Sequence, residues 1–240
     1  MFLNGYYHFG NNLNYLKSIK MKIHFKKEIF YWLLCILPYV FLSWVYASLP
    51  QTVPTHFGID GKANGWSSKE SLWFIPASLS LMMYLLFLVI PRIDPKQRLQ
   101  QGGKFEKIRF IVLLFITAIA CITIYISYKQ NIGHTGNFLF AGIGLFFAVL
   151  GNFFPALKPN YFIGIRSPWA LENEIVWKKT HQLAGKIWVV AGLFLAVLPF
   201  ILNNEVLMNQ IFLIVTLSIA FFPFIYSYII WRQEKKRISA

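Results

Sequence analysis

Residues able to do chemistry are sparse and scattered in this chain. The five histidines, His8, His24, His56, His134 and His181, stand far apart. None forms an HExxH pair, and no carboxylate joins one at a metal-ligand spacing. Gly164-Ile165-Arg166-Ser167 is no nucleophile elbow, and Gly142-Ile143-Gly144 lies in an apolar run, where it suits close helix packing better than phosphate binding. Cys35 and Cys121 also fall in apolar runs and read as small hydrophobes, not as a disulfide framework. These residues supply no catalytic group, metal centre or cofactor site, and the chain reads as a non-enzyme. The polar residues gather instead in two stretches, Leu49 to Glu70 and Tyr161 to His181. The second, YFIGIRSPWALENEIVWKKTH, sets two tryptophans, two carboxylates and three basic residues between apolar segments.

The elements that position these stretches are set by hydropathy. The chain has 240 residues, 57% hydrophobic, 18% aromatic and 13% charged, with a mean hydropathy of +0.52. That is a membrane composition. A helix needs roughly 20 apolar residues to cross a hydrocarbon core of about 30 Å. Six runs qualify: Ile29 to Leu49, Leu72 to Pro91, Phe110 to Tyr128, Gly136 to Leu157, Leu183 to Leu202 and Val206 to Trp231. They are continuously apolar and do not alternate, which selects helices over a barrel. The expected fold is an all-α bundle of six transmembrane helices. Apart from Lys186 near the start of the fifth, their interiors carry no ionisable residue of the kind that marks a proton relay. A small permease or exporter of a hydrophobic peptide or lipid remains an alternative reading, motivated by Pro38, Pro76, Gly142, Gly144, Gly192 and Pro199.

The net charge of +14 gives the orientation. All of the 23 Lys and Arg residues except Lys62, Lys69 and Lys129 lie in the N-terminal segment, the second and fourth connections or the tail. By the positive-inside rule those segments are cytoplasmic, and so are both termini. Lysines and arginines between apolar runs suit anionic lipids at the membrane surface, and no direct contact with nucleic acid is expected. Met21 opens MKIHFKKEIF, a compact basic flank, and is an alternative start to Met1. Three regions follow: a cytoplasmic segment over 1–28, a two-helix region over 29–105 with an outer loop at 50–71, and a four-helix region over 106–240 with a cytoplasmic loop at 156–185.

The outer loop is rich in turn residues. Asp60-Gly61 and Asn64-Gly65 are both favoured hairpin pairs, so IDGKANGW reads as one or two tight turns. His56, Phe57 and Trp66 suit the membrane interface; alternatively the compact loop is a recognition surface. In the inner stretch, Ser167-Pro168 is a helix start, with a hydroxyl cap and a proline at the first position. Glu172 and Glu174 come early and Lys178 and Lys179 late, as the helix dipole prefers. Trp169, Asn173, Val176, Trp177, Thr180 and Leu183 recur near helical spacing, which predicts an amphipathic helix on the inner membrane surface turning into the fifth span. Asn160, Arg166, Trp169, Glu172, Asn173, Trp177 and His181 are the candidates for a cytoplasmic docking surface there; the alternative is a lipid anchor through Arg166.

The two stretches also carry a family resemblance. Leu49-Pro50, Pro54-Thr55-His56-Phe57, Gly61, Gly65 and Lys69 resemble the N-terminal domain of unknown function found in bacterial SdpI-type membrane proteins. Gly151-Asn152, Pro155, Lys158-Pro159-Asn160, Gly164 to Trp169, Asn173, Trp177, Thr180-His181 and Gly185-Lys186 are similar to the C-terminal region of the same family, and Asp94-Pro95 fits as well. The resemblance spans about residues 25 to 231. It implies a six-span protein of the bacterial plasma membrane that confers immunity to a secreted antimicrobial peptide toxin. In its named member it also implies a toxin receptor that holds an ArsR-like transcriptional autorepressor at the membrane. On that reading Pro54, His56, Phe57, Gly61, Gly65 and Trp66 are the toxin-recognition candidates.

Overall fold

The computed structural model describes residues 25–57, 63–94, 103–130 and 135–239. Met1, Met21, His8, His24, His134, Pro95 and the Asp60-Gly61 pair lie outside them. Six helical segments within the described residues are long and apolar enough to cross a membrane, in agreement with the hydropathy reading. Helix α1, Phe25–Val45, leads through a 3-10 turn, Tyr46–Ser48, to strand β1, Thr52–Phe57. Strand β2, Ala63–Ser68, returns antiparallel to it. The second crossing is irregular: a 3-10 turn at Lys69–Trp73, one α-helical turn at Phe74–Pro76 and a π-helical turn at Ala77–Leu81 precede helix α2, Met82–Ile93. Pro76, which has no N–H to donate to a helical ladder, stands where the winding changes. Helix α3, Lys104–Lys129, and helix α4, Thr135–Phe153, form the next two crossings. A one-turn helix α5, Pro168–Glu172, comes before the last two, α6, Glu174–Ile201, and α7, Glu205–Ser239.

The outward faces of these helices are apolar. Phe30, Leu33, Trp44, Val190, Ile214 and Phe221 are all exposed on the spanning segments, a pattern that water would penalise and hydrocarbon does not. In the first half of the chain, Tyr31, Tyr84, Phe87, Phe105 and Leu113 pack together at the end of the bundle away from the strands. Leu42, Leu49, Val53, Leu72 and Ile124 pack at the strand end. Val53 is the residue that seats the hairpin on the helices, because its side chain enters that second cluster.

In the second half, α4 and α6 approach backbone to backbone. A Cβ built on Gly144 would stand 2.5 Å from the Ala196 nitrogen, and one on Gly192 would stand 2.4 Å from the Ala148 nitrogen. One turn or more along, Gly151 and Gly185 repeat the arrangement, with Gly151 against Trp188 Cβ at 2.7 Å and Gly185 against the Gly151 carbonyl oxygen at 2.7 Å. Small residues at such a seam let two membrane helices gain dispersion contacts that lipid cannot replace. Gly144 thus behaves as its apolar setting predicts. Gly142 does not, since nothing lies within 4 Å of a Cβ placed on it. The two halves of the chain meet across α3 and α4, where Phe115 and Phe146 stack with ring centroids 3.9 Å apart and planes 4° apart.

Gly192→Val is expected to force α4 and α6 apart and to destabilise the folded protein by roughly 2 kcal/mol or more, the scale of overpacking a dense core. Gly142→Ala is expected to change stability by less than about 1 kcal/mol, as the space is open and alanine is the better helix former. Thermal unfolding of both variants in one detergent checks the contrast; equal losses would contradict the seam.

Candidate functional site

The candidate residues divide between the two ends of the bundle. At the strand end, the hairpin register sets Pro54 opposite Trp66, His56 opposite Gly65 and Phe57 opposite Ala63, with irregularities on either side of His56. Pro54 is buried, and Trp66 and His56 are exposed. The His56 ring nitrogen Nδ1 pairs with the side-chain oxygen of Asn64. Gly65 has no room for a side chain, since a Cβ there would meet His56 Cβ at 2.8 Å. Asn64-Gly65 is therefore part of strand β2 and not a turn, because its glycine is needed for close approach of the facing strand. Of the recognition candidates, His56 and Trp66 present side chains to the surroundings, while Pro54 and Gly65 build the hairpin. Gly61 lies outside the described residues.

At the opposite end, the connection between α4 and α6 runs through a 3-10 turn, Phe154–Ala156, an irregular stretch and α5. Its backbone groups sit at the edge of a membrane bundle, where unsatisfied N–H and C=O groups cost several kcal/mol. Asn160, fully buried, meets that demand. Its amide nitrogen donates to the carbonyls of Lys158 at 2.9 Å and Ile163 at 3.0 Å. Its side-chain oxygen accepts from the N–H groups of Phe162 at 2.9 Å and Ile163 at 2.7 Å. His181 holds the next turn. Its Nε2 accepts from the Ile165 N–H at 3.0 Å, so Nε2 carries no proton, and Nδ1 donates to the Trp177 carbonyl at 2.9 Å. These partners dictate the neutral Nδ1–H tautomer. Trp177 stacks on the imidazole with centroids 4.0 Å apart, and its indole N–H donates to the Leu157 carbonyl at 2.8 Å. Gly164 has φ +105°, and a Cβ there would lie 2.5 Å from His181 Nε2; conformation and space both require glycine.

The amphipathic helix expected over this region is two helices. Ser167 caps α5 as predicted, its hydroxyl oxygen accepting from the Ala170 N–H at 3.2 Å. The chain then breaks at Asn173, whose side-chain oxygen accepts from the N–H groups of Ile175 at 2.8 Å and Val176 at 3.2 Å and so starts α6. The face holding Val176, Trp177, Thr180 and His181 is buried in protein and does not lie on a membrane surface. Asn160, Trp177 and His181 are consequently framework and offer no docking surface. Arg166 and Glu172 are exposed, and Arg166 Nη1 donates to the Tyr161 carbonyl at 2.9 Å. Trp169 is half-buried and packs on the Tyr228 ring of α7, centroids 5.1 Å apart.

The same end holds a buried ion pair that sequence reading missed. Glu28 accepts from both terminal nitrogens of Arg109, at 2.9 and 2.7 Å, and from the Tyr84 hydroxyl at 3.0 Å. The Trp32 indole N–H donates to that hydroxyl at 2.8 Å. The Arg109 guanidinium lies 3.9 Å from the Tyr31 ring centre, and the Tyr31 hydroxyl donates to Glu106 at 3.0 Å. The bidentate fork and the ring face are what make burial of both charges tolerable. Phe162 and Ile163 of the α4–α6 connection pack against the aromatic cluster around this pair, so the two halves touch here as well. Among the described residues, no group of three His, Cys, Asp or Glu is placed to hold a metal ion.

Comparison with known proteins bears on both halves. The family model for the SdpI/YfhL protein family matches residues 156–227, and that for a domain of unknown function, DUF1648, matches residues 33–79. The immunity protein SdpI of Bacillus subtilis (strain 168) is 28% identical over 189 residues, which cover 79% of this chain and 89% of that protein. The chain is thus similar to an SdpI-type protein over most of its length, with the family match itself confined to residues 156–227. An uncharacterized protein of Archaeoglobus fulgidus is 39% identical over 44 residues, 18% of this chain and 24% of its own length. No solved structure matches. The chain is a multi-pass protein of the bacterial plasma membrane, and its family-matched region starts within the connection that Asn160, Trp177 and His181 hold.

Arg109→Met is expected to destabilise the protein by about 3–5 kcal/mol, because Glu28 is left buried without its cation. The double variant Glu28→Gln/Arg109→Met should recover a large part of that loss, measured as unfolding in detergent. Asn160→Ala should cost about 2 kcal/mol or more through its orphaned N–H groups. Arg166→Gln and Glu172→Gln, on exposed residues, should stay within about 0.5 kcal/mol; losses matching that of Asn160→Ala would place them in the framework.

Proposed function

We propose that this protein protects its cell from a secreted, membrane-active antimicrobial peptide. The observation that carries the reading is the alignment with an immunity protein across 79% of the chain, which takes in the hairpin and the α4–α6 connection together. The hairpin is the proposed toxin-recognition element. It presents an exposed indole and an exposed imidazole, Trp66 and His56, on a scaffold seated by Val53, and aromatic side chains supply large contact area at low entropy cost. The charge distribution supports putting this hairpin outside the cell and both termini inside, with the Asn160 to His181 end facing the cytoplasm.

On the cytoplasmic side, the groups available to a partner are Arg166, Glu172 and the exposed part of Trp169. They form the proposed docking patch for an ArsR-like transcriptional repressor, held at the membrane when toxin occupies the outer hairpin. A small repressor gene beside this one would favour that branch. Immunity alone requires no such partner.

Loss of the gene is expected to sensitise cells to the cognate peptide, and survival after challenge with candidate peptide toxins is the measurement. Trp66→Ala and His56→Ala should lower survival at least about fivefold, the effect of losing one interface anchor of more than about 1 kcal/mol, with unchanged protein in the membrane fraction. Unaltered sensitivity of the deletion strain to every peptide tried would count against immunity. Full protection by both hairpin variants would move recognition elsewhere in the protein.

A further inference from the structure

A cavity of about 690 Å³ lies at the seam between the two halves of the chain. Its walls come from both: Phe87 of α2 and Val112 of α3 on one side, and Phe154 of the 3-10 turn after α4, Trp188 of α6 and Phe224 of α7 on the other. The segment Tyr161 to Arg166 closes one end, held by the Asn160 and His181 hydrogen bonds. Arg166 is the charged residue among its described lining, which holds no acidic side chain. Ala220 and Phe224 are exposed within the membrane-spanning part of α7, so the cavity has an edge on the hydrocarbon. Its two ends are thus unlike: a cationic end at the α4–α6 connection and an apolar, lateral edge on the bilayer.

An apolar space of this size is unsuited to water, which needs two to four polar partners, and is unfavourable empty. A segment of helical peptide is a poor occupant. One 5.4 Å turn of a helix about 11 Å across fills roughly 500 Å³, so the space takes little more than a single turn. A flexible hydrocarbon chain entering from the side fits both the volume and the edge, and a small apolar site of this size is within the ordinary range for a single ligand. The exposed guanidinium then selects the head group, because among the described residues its donors engage the Tyr161 carbonyl through Nη1 alone, and a phosphate matches the rest of the fork. We propose that the cavity is a binding site for one anionic phospholipid, an acyl chain lying between Phe87, Val112, Trp188 and Phe224 and the phosphate on Arg166.

Trp188 in the wall makes occupancy readable without any toxin, so the outcome is separate from that of the immunity test. The full-length protein is reconstituted in nanodiscs of phosphatidylcholine, and a rising fraction of lipid is replaced by phosphatidylglycerol or phosphatidylcholine carrying bromine on its acyl chains. The Trp188 signal is the difference in fluorescence between the wild type and Trp188→Phe. Brominated phosphatidylglycerol is expected to quench it at a mole fraction about fivefold lower than brominated phosphatidylcholine, the preference that one basic residue gives. Arg166→Gln should abolish that preference, and Ala220→Phe, which narrows the lateral edge, should weaken quenching by both lipids. Should Trp188→Phe not fold, total quenching of wild type, Arg166→Gln and Ala220→Phe carries the same comparison. Equal quenching by the two lipids in the wild type, or a preference that survives Arg166→Gln, overturns the proposal. Quenching by a brominated hydrophobic peptide and by neither lipid would assign the cavity to peptide and overturn it equally.

Discussion

The backbone contact between α4 and α6 constrains everything at one end of this protein. With Gly144 and Gly151 of one helix against Gly192 and Gly185 of the other, the helices are too close for side chains to pass between them. The connection from α4 to α6 therefore cannot run in the seam and has to fold over the end of the bundle. That exposes it to the cost of unpaired backbone groups where water is scarce. Asn160, Trp177 and His181 are the response: one side chain satisfies two N–H and two C=O groups, and the other two fix the return of the chain at Leu157 and Ile165. Gly164 follows from His181, since its φ of +105° leads the chain past the imidazole with no Cβ in the way.

Charge is handled by a different rule in the first half. Glu28 and Arg109 lie near the starts of α1 and α3, 81 residues apart, and both are buried. Each alone would carry a desolvation cost of several kcal/mol. Together they form a bidentate pair roofed by Tyr31 and buttressed by Tyr84. The aromatic residues are not interchangeable filler in this setting, because each supplies a hydroxyl or a ring face to an ion. Helices α1 and α3 are thereby fixed to one another at this end, while Leu42, Val53 and Ile124 fix them at the other.

The six crossings were legible because hydrocarbon thickness imposes a length and a composition that any window along the chain can detect. Ser167 as a cap was legible because capping is local. The buried state of Trp177 and His181 was not. Helical spacing showed a mixed face over residues 169 to 183, but a periodic face does not say whether it meets lipid, water or another helix. The break at Asn173 could have been anticipated, since asparagine is a strong N-cap and Glu174 follows it. The Glu28–Arg109 pair escaped for a plain reason: each residue reads as the polar edge of an apolar run, and only tertiary pairing turns two edges into one buried bond. Asn64-Gly65 misled because the same dipeptide that favours a turn also permits close strand approach.

Several residues that carry the family resemblance thus have a structural duty already. Asn160, Gly164, Ser167, Asn173, Trp177 and His181 are consumed by hydrogen bonds, caps or packing inside the connection. Asn160, whose side-chain donors and acceptor are all engaged within its own loop, has nothing left for a partner. On the proposed reading, specificity toward a peptide or cytoplasmic protein comes from exposed groups that the framework leaves free, among them His56 and Trp66 on the hairpin and Arg166 and Glu172 beside α5. These side chains can change without disturbing the glycine seam or the buried pair. On that reading, one framework of this kind serves different molecules at its two ends by substitution of a few exposed groups, with the fold held constant by residues that touch neither.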